Sequence, residues 1–207
     1  MRCSASLASL FVATVALASP PPEGFVKQDR EYESPSGDTI VRVYQNEDMD
    51  MQLRVFRTGN ADKDGFLLWE GSGVAGGGSA LVSFDGENIA INQRDSSDLG
   101  LLFVFTRRQD GSYQKIGVDF QKEALKLATK QLGFKNEPSF GRFPKFFCNA
   151  DTWITDHQLL AVLSAQELGQ HSLVFWFIFD CSTKTFSFDL REINKFGFHQ
   201  TKKEDNK

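Results

Sequence analysis

Asp156 and His157 are neighbours in a predicted turn and are the first candidates for acid–base chemistry. A carboxylate beside an imidazole can act as a general base, and His157 could instead share a metal ion with His171 in the next turn. No G-x-S-x-G or H-E-x-x-H pattern accompanies them. Turn residues of these types are most often only solvated. The sequence therefore favours a non-catalytic protein, with a hydrolase that uses Asp156 and His157 as the alternative.

A second set of candidate ligands lies in a polar loop. Asn60, Asp62 and Asp64 place oxygen atoms at the first, third and fifth positions of an EF-hand-like loop, and Gly65 follows at the sixth. An EF-hand loop closes with a bidentate carboxylate at its twelfth position, where this chain has Gly71. No helical pattern flanks the loop. The sequence therefore favours a hairpin turn without a cofactor, and a calcium-dependent module is the alternative.

Glycines at 71–76 match the pattern G-x-G-x-x-G after an apolar run at 66–69. A dinucleotide site of this kind needs a helix to begin at the glycines, with its N-terminus directed at the pyrophosphate. The residues at 77–84 predict a strand instead. We interpret the glycines as a flexible loop between strands, with no nucleotide.

Aromatic residues are concentrated in the irregular segment 136–150. Phe140, Phe143 and Phe146 stand there among two prolines, a glycine and basic residues. Rings in such a loop could form a binding surface for a protein or small ligand, or they could pack onto the core. Both interpretations are open at this point, and the three residues form a candidate binding surface.

Residues 1–18 have the pattern of a secretory signal peptide. Arg2 supplies a positive charge, residues 7–18 are apolar or small, and Ala16-Leu17-Ala18 is an A-x-A cleavage site. The apolar run is shorter than the ~18 residues of a membrane-spanning helix, and no later stretch reaches that length. The sequence predicts a secreted or periplasmic protein without a membrane span after signal cleavage. A retained anchor is the alternative.

The remaining chain is mildly acidic and rich in phenylalanine. Loss of Arg2 leaves 22 basic residues against 27 acidic ones, a formal net charge of −5. This balance argues against nucleic acid or an anionic membrane surface as the main partner. The 20 phenylalanines favour a core built on sheets. We predict an extended leader at 19–31, one mainly β domain at 32–200 and a solvated tail at 201–207.

Three apolar runs in succession, at 158–164, 172–179 and 185–190, predict antiparallel strands joined by short turns. The same pattern occurs earlier, because 101–118 aligns with 173–190 without a gap. Residues 84–91 align with 155–162, and a weaker third copy begins at residue 34. Self-similarity at ~40 residues per unit is typical of stacked antiparallel units.

The openings of these units resemble those of a known family. The sequence SPSGDT at 34–39 and the later Asp85-Gly86 resemble the openings of blades in WD40-like and TolB-like β-propellers. The resemblance implies consecutive antiparallel hairpins that form blade-like units. Propellers need at least about four blades to close, so three units would stay open or incomplete. A β-sandwich or barrel is the alternative fold.

One segment, 119–132, predicts a helix between the second and third units. Asp119 can cap its first turn, and Phe120, Ala124 and Leu127 fall on one side. Cys148 and Cys181 are the only cysteines after residue 18. In an oxidising compartment two free thiols are unusual, so we predict a disulfide between them, with two buried free cysteines as the alternative.

The function that these features favour is that of an exported, non-catalytic binding or interaction protein. Its partner would be a protein or small ligand, held by loops at one edge of the sheets. The grounds are the export signal, the repeated scaffold, the absence of a catalytic motif and the loops rich in glycine and phenylalanine.

Overall fold

The computed structural model describes residues 20–58, 65–72, 78–132, 145–166, 172–189 and Ile193. Twelve strands and one helix lie in these residues. In chain order they are β1 (Val26–Glu33), β2 (Thr39–Gln45), β3 (Asp50–Arg57), β4 (Phe66–Ser72), β5 (Gly78–Val82), β6 (Asn88–Arg94), β7 (Leu99–Arg107), β8 (Tyr113–Lys115), α1 (Phe120–Leu132), β9 (Lys145–Trp153), β10 (Gln158–Gln166), β11 (Ser172–Asp180) and β12 (Thr185–Ser187).

Each group of four consecutive strands forms an antiparallel meander. We call β1–β4 unit 1, β5–β8 unit 2 and β9–β12 unit 3. Unit 1 is a sheet of its own, whereas a short parallel pairing between the start of β7 and β9 joins units 2 and 3 into one eight-stranded sheet. Both sheets are open within the described residues. The predicted fold, mainly β with consecutive antiparallel hairpins and one helix, is confirmed.

The internal repeat is visible in the strand pairing. Arg107 pairs with Tyr113 where β7 turns into β8, and Asp180 pairs with Thr185 where β11 turns into β12. The turn in unit 3 is therefore one residue shorter than the turn in unit 2. The ungapped alignment finds the right strands but misses this deletion, because hydrophobic alternation does not encode the length of a turn.

Unit 2 is packed between the other two units. On β6, Ile89 and Ile91 belong to an apolar cluster shared with unit 1, whereas Ala90 belongs to a second cluster shared with α1 and unit 3. All three are fully buried. Because side chains alternate along a strand, both faces of unit 2 are covered and the three meanders stack face to face.

The helix begins where its sequence predicts and buries Phe120 and Ala124 as expected, whereas Leu127 is only partly buried and Leu125, which is not among the predicted residues, is 1% exposed. The Asp119 Oδ1 atom accepts a hydrogen bond from the Lys122 backbone N–H at 3.0 Å, which satisfies one of the free amides of the first turn. Phe120 is 1% exposed, and its ring meets that of Phe179 edge to face at 4.7 Å. The helix therefore covers the sheet of units 2 and 3 where they meet.

Replacing Asp119 by alanine is expected to lower the free energy of unfolding by about 1 kcal/mol, because the first turn of α1 loses its cap. Urea denaturation followed by circular dichroism measures the change. Asp119→Asn keeps an accepting oxygen and should stay within about 0.5 kcal/mol of the parent protein. Equal losses in the two variants would show that the carboxylate charge, and not the capping bond, stabilises the helix.

The first strand overlaps the predicted leader. Val26–Glu33 pairs with β2, so the part of the 19–31 segment after Phe25 belongs to the sheet. A turn precedes it, in which the Phe25 N–H donates to the Pro22 carbonyl at 3.0 Å. Within the described ranges no helix is long and apolar enough to cross a membrane. The predicted signal peptide at 1–18 and tail at 201–207 lie outside the described residues.

Candidate functional site

Several predicted site residues lie outside the part of the chain that the structure describes. They are Asn60, Asp62, Asp64, Phe140, Phe143 and His171, and they stay predictions. Among the described residues, no three His, Cys, Asp or Glu side chains come together as a metal-binding group would require.

Phe146, the third residue of the candidate aromatic surface, is described, and of the two interpretations the structure supports packing onto the core for it. It lies in β9, is 3% exposed and belongs to the cluster that α1 covers. Its ring is therefore part of the core and is closed to a ligand.

The predicted disulfide is also wrong, since Cys148 and Cys181 are both free and buried. Sheet order explains why. Cys148 lies opposite Leu163 on β10, and Leu163 lies opposite Phe175 on β11. Cys181 follows the far end of β11, roughly 20 Å further along that strand at ~3.3 Å per residue. A disulfide requires Cα atoms about 4.4–6.8 Å apart.

Both thiols are expected to resist alkylation in the folded protein. Burial raises the pKa of Cys148 and, together with the neighbouring Asp180 carboxylate, raises the pKa of Cys181 to about 12. The reactive thiolate is therefore scarce at pH 8. Mass spectrometry after iodoacetamide treatment without reductant should show both cysteines modified only once the protein is denatured. Failure to modify them in denaturant would show that they are paired.

Asp156 and His157 are adjacent, but the structure gives their side chains different partners. The Asp156 Oδ1 atom accepts from the backbone N–H of Asp85 at 3.0 Å. The His157 Nε2 atom lies 4.0 Å from the Asp180 Oδ2 atom, and the imidazole side chain is 48% exposed. Asp156 therefore ties unit 3 to unit 2, and His157 stands on an exposed turn.

The turns that open units 1 and 2 share one hydrogen-bonding scheme. In unit 1 the Ser34 carbonyl accepts from the Gly37 N–H at 2.8 Å, and the Ser34 hydroxyl accepts from the Thr39 N–H at 3.1 Å. In unit 2 the Ser83 carbonyl accepts from Gly86 at 3.0 Å and its hydroxyl from Asn88 at 2.9 Å. The segments that resemble blade openings are thus equivalent turns.

These turns also carry an ion pair between units 1 and 2, made by Arg57, together with polar contacts inside unit 2. The Glu87 Oε1 atom accepts from Arg57 at 2.6 Å and from Arg107 at 3.1 Å. The Tyr113 hydroxyl donates to the Gly86 carbonyl at 2.7 Å. A cavity of about 370 Å³ opens beside these residues. Since Glu87 already pairs with both arginines, we interpret these residues as a structural link between units 1 and 2.

A larger cavity lies along the first strands of the three units. Strand β5 is the terminal strand of its sheet and lies next to both β1 and β9. A cavity of about 480 Å³ and a second of about 360 Å³ follow one another there. The first is lined mainly by polar residues: Arg30, Ser79, Asn92, Gln93, Arg94 and Asn149. The second is lined mainly by apolar ones, among them Tyr32, Leu81, Phe84 and Trp153.

The two cavities lie end to end and are described together as one groove. Residues two apart on a strand point to the same side, about 7 Å from one another. Arg30 lines the first cavity and Tyr32 the second, and on β5 the same holds for Ser79 and Leu81. The cavities therefore succeed each other along the strands. We call them together the inner groove, with a polar end and an apolar end.

The polar end of the inner groove is cationic. Arg30 and Arg94 are exposed, and neither makes an ion pair with a described residue. Among the described residues, no acidic side chain lines this cavity, whereas Glu33 lines the apolar end. The groove thus presents positive charge at one end and a carboxylate at the other.

The walls of the inner groove are held by directed hydrogen bonds. The Asn92 side chain bonds the Ala150 backbone twice, accepting at 2.7 Å and donating at 3.0 Å. The Trp153 indole N–H donates to the Leu81 carbonyl at 3.1 Å. These bonds fix β9 against unit 2, so the walls of the groove that these two parts form are preformed.

Sequence reasoning did not find the inner groove. Arg30 fell in the predicted leader, and Ser79 and Arg94 belong to no motif. The position of each strand within its repeat could have indicated the groove. The first strands of stacked meanders lie side by side, so residues on the first strand of each repeat are expected to come together.

The fold is thus a mainly β stack of three open meanders, and its site is a groove along their first strands. No family model matches the chain, and no curated protein matches it. Among solved structures, TolB from Acinetobacter baumannii aligns with a TM-score of 0.39 and 11% identity, over 79% of this chain and 32% of TolB. The chain therefore spans about a third of the TolB structure, and similarity at this level defines no function.

Proposed function

We propose that the protein is an exported, non-catalytic binding protein and that the inner groove holds its ligand. The observation that carries this proposal is a preformed groove with two arginines free of ion pairs to described residues at one end and an exposed aromatic ring, Phe84, at the other. Concave sites of about 300–1,000 Å³ with a few convergent polar groups are typical of ligand binding.

The groove modifies the site that the sequence predicts. Loops at one edge of the sheets were the expected binding surface, whereas the groove runs along the strands. The alternative hydrolase loses support, because Asp156 bonds Asp85 and His157 is on an exposed turn. The candidate calcium ligands lie outside the described residues.

Filling the groove tests the proposal. Ser79→Trp places an indole in the polar end, and Gln109→Trp places the same side chain on an exposed turn at the opposite end of the fold. Each protein, immobilised and confirmed as folded by thermal unfolding, is used to capture molecules from its native compartment. Mass spectrometry should find species retained by the parent and Gln109→Trp but lost with Ser79→Trp. Equal capture by all three proteins would place binding elsewhere, and no capture by any would overturn the proposal.

A further inference from the structure

We infer that the ligand of the inner groove is an extended peptide with an acidic residue at one end and an aromatic or large apolar residue at the other. This inference rests on the proposed function and specifies its ligand. It follows from the charge, the apolar surface and the length of the groove, each of which limits the chemistry of the occupant.

Charge identifies the acidic end. Arg30 and Arg94 face the same cavity from different units, and none of its described lining residues carries a carboxylate to neutralise them. A guanidinium binds a carboxylate through short, charge-assisted hydrogen bonds. Asn149 and Ser79 on the walls add further hydrogen-bonding groups. A carboxylate side chain or a chain-terminal carboxylate fits this end.

The apolar end of the inner groove disfavours a carboxylate. Glu33 lines it and would repel a second carboxylate. Phe84 is 46% exposed there, one of the few large apolar side chains with such exposure among the described residues. Trp153 and Leu81 supply apolar walls. An aromatic or large aliphatic side chain buries apolar surface in this position, so the groove also sets the direction of the peptide.

The length of the groove sets the spacing. Gly78 pairs with Gln93, so Arg94 lies level with the beginning of β5, and Phe84 lies just beyond its end. The groove therefore runs for about 20 Å, at ~3.3 Å per strand residue. An extended chain covers ~3.3–3.6 Å per residue, so about six residues fill the groove. We expect the acidic and apolar residues to have about three or four residues between them.

Fluorescence anisotropy with defined peptides tests this inference. The probes are fluorescein-labelled peptides with one glutamate and one phenylalanine separated by zero to five serines, in both orders. Binding should be tightest at three or four serines, in one order only. Exchange of the glutamate for lysine should weaken binding at least about tenfold, as expected for loss of a charge-assisted bond. Equal affinity across spacings, or for glutamate and lysine, would overturn the inference.

Substitution of the two arginines tests whether the polar end binds the carboxylate of the peptide. The double variant Arg30→Ala, Arg94→Ala should bind the best peptide at least about tenfold more weakly, through loss of both cations. Arg108→Ala is the matched control, because Arg108 is exposed at the opposite end and bonds Gln114. It should change affinity less than twofold, about the level of a distant rim charge. A double variant that binds like the parent would overturn the inference.

The two proposals can fail separately. If Ser79→Trp abolishes capture of the native partner but peptide binding ignores glutamate, the groove is a binding site for another class of ligand. If free glutamate competes as well as the best peptide, the inference of a peptide ligand fails, whereas the proposal that the groove is a binding site stands. If Ser79→Trp changes no binding at all, the proposed function fails.

Discussion

Replacing Gly86 by alanine is expected to destabilise the protein by about 2–5 kcal/mol. Gly86 has φ = +71°, which costs an alanine roughly 1–2 kcal/mol. A Cβ atom at this position would lie 2.1 Å from the Thr39 Oγ1 atom and 2.7 Å from the Thr39 Cβ atom. Thr39 is fully buried, so the turns of units 1 and 2 would have to separate. Guanidinium denaturation followed by tryptophan fluorescence measures the loss.

Gly111→Ala provides the control for backbone strain. Gly111 has φ = +85°, but a Cβ atom there would meet only the Arg107 Nη2 atom, at 3.6 Å. The expected loss is about 1–2 kcal/mol, from conformation alone. The difference between the two variants measures the contact between units 1 and 2. Equal losses would mean that the turn contact contributes nothing to stability.

Truncation of Phe179 to alanine is expected to cost about 3–5 kcal/mol. Phe179 is fully buried, and its ring lies 4.7 Å from that of Phe120 on α1 and 5.0 Å from that of Phe186 on β12. One side chain therefore holds the helix and the edge strand against β11. The loss is measured by the same denaturation, with circular dichroism to follow α1.

Phe84→Ala is the matched phenylalanine control. Phe84 is 46% exposed, and its removal should change the free energy of unfolding by less than about 0.5 kcal/mol. A loss for Phe179→Ala as small as that of the control would contradict the packing described for α1.

The elements could be predicted because their signals are local. A window of about a dozen residues is enough to identify each apolar run of β7, β10 and β11, and also the cap at Asp119. Local sequence signals do not predict how deeply each residue is buried. All positions of the β11 run from Leu173 to Phe179 are apolar, yet Val174 is 48% exposed on the face away from α1. Periodicity does not reveal how far the neighbouring layer extends.

The site could not be predicted because it depends on sheet order. Arg30, Ser79 and Asn149 lie far apart in sequence and meet only because β1, β5 and β9 lie side by side. The cysteines show the opposite case. Cys148 and Cys181 belong to the same unit, yet the register of β9, β10 and β11 holds them apart. The prolines at 20–22 predict an extended leader, whereas its last residues, from Val26 on, belong to an edge strand that charge protects from unwanted pairing.

The separate sheet of unit 1 has a consequence for how the molecule opens. Its four strands pair only with one another, whereas units 2 and 3 share a sheet. Unit 1 can therefore detach without breaking a ladder hydrogen bond, once its apolar contacts, the Arg57–Glu87 ion pair and the hydrogen bond from the Trp69 indole to Gln93 give way. Such a unit behaves as a foldon, with amide protons that exchange through its own local opening. The wall of the inner groove that carries Arg30 and Tyr32 belongs to this foldon, so a bound peptide would slow amide exchange throughout unit 1.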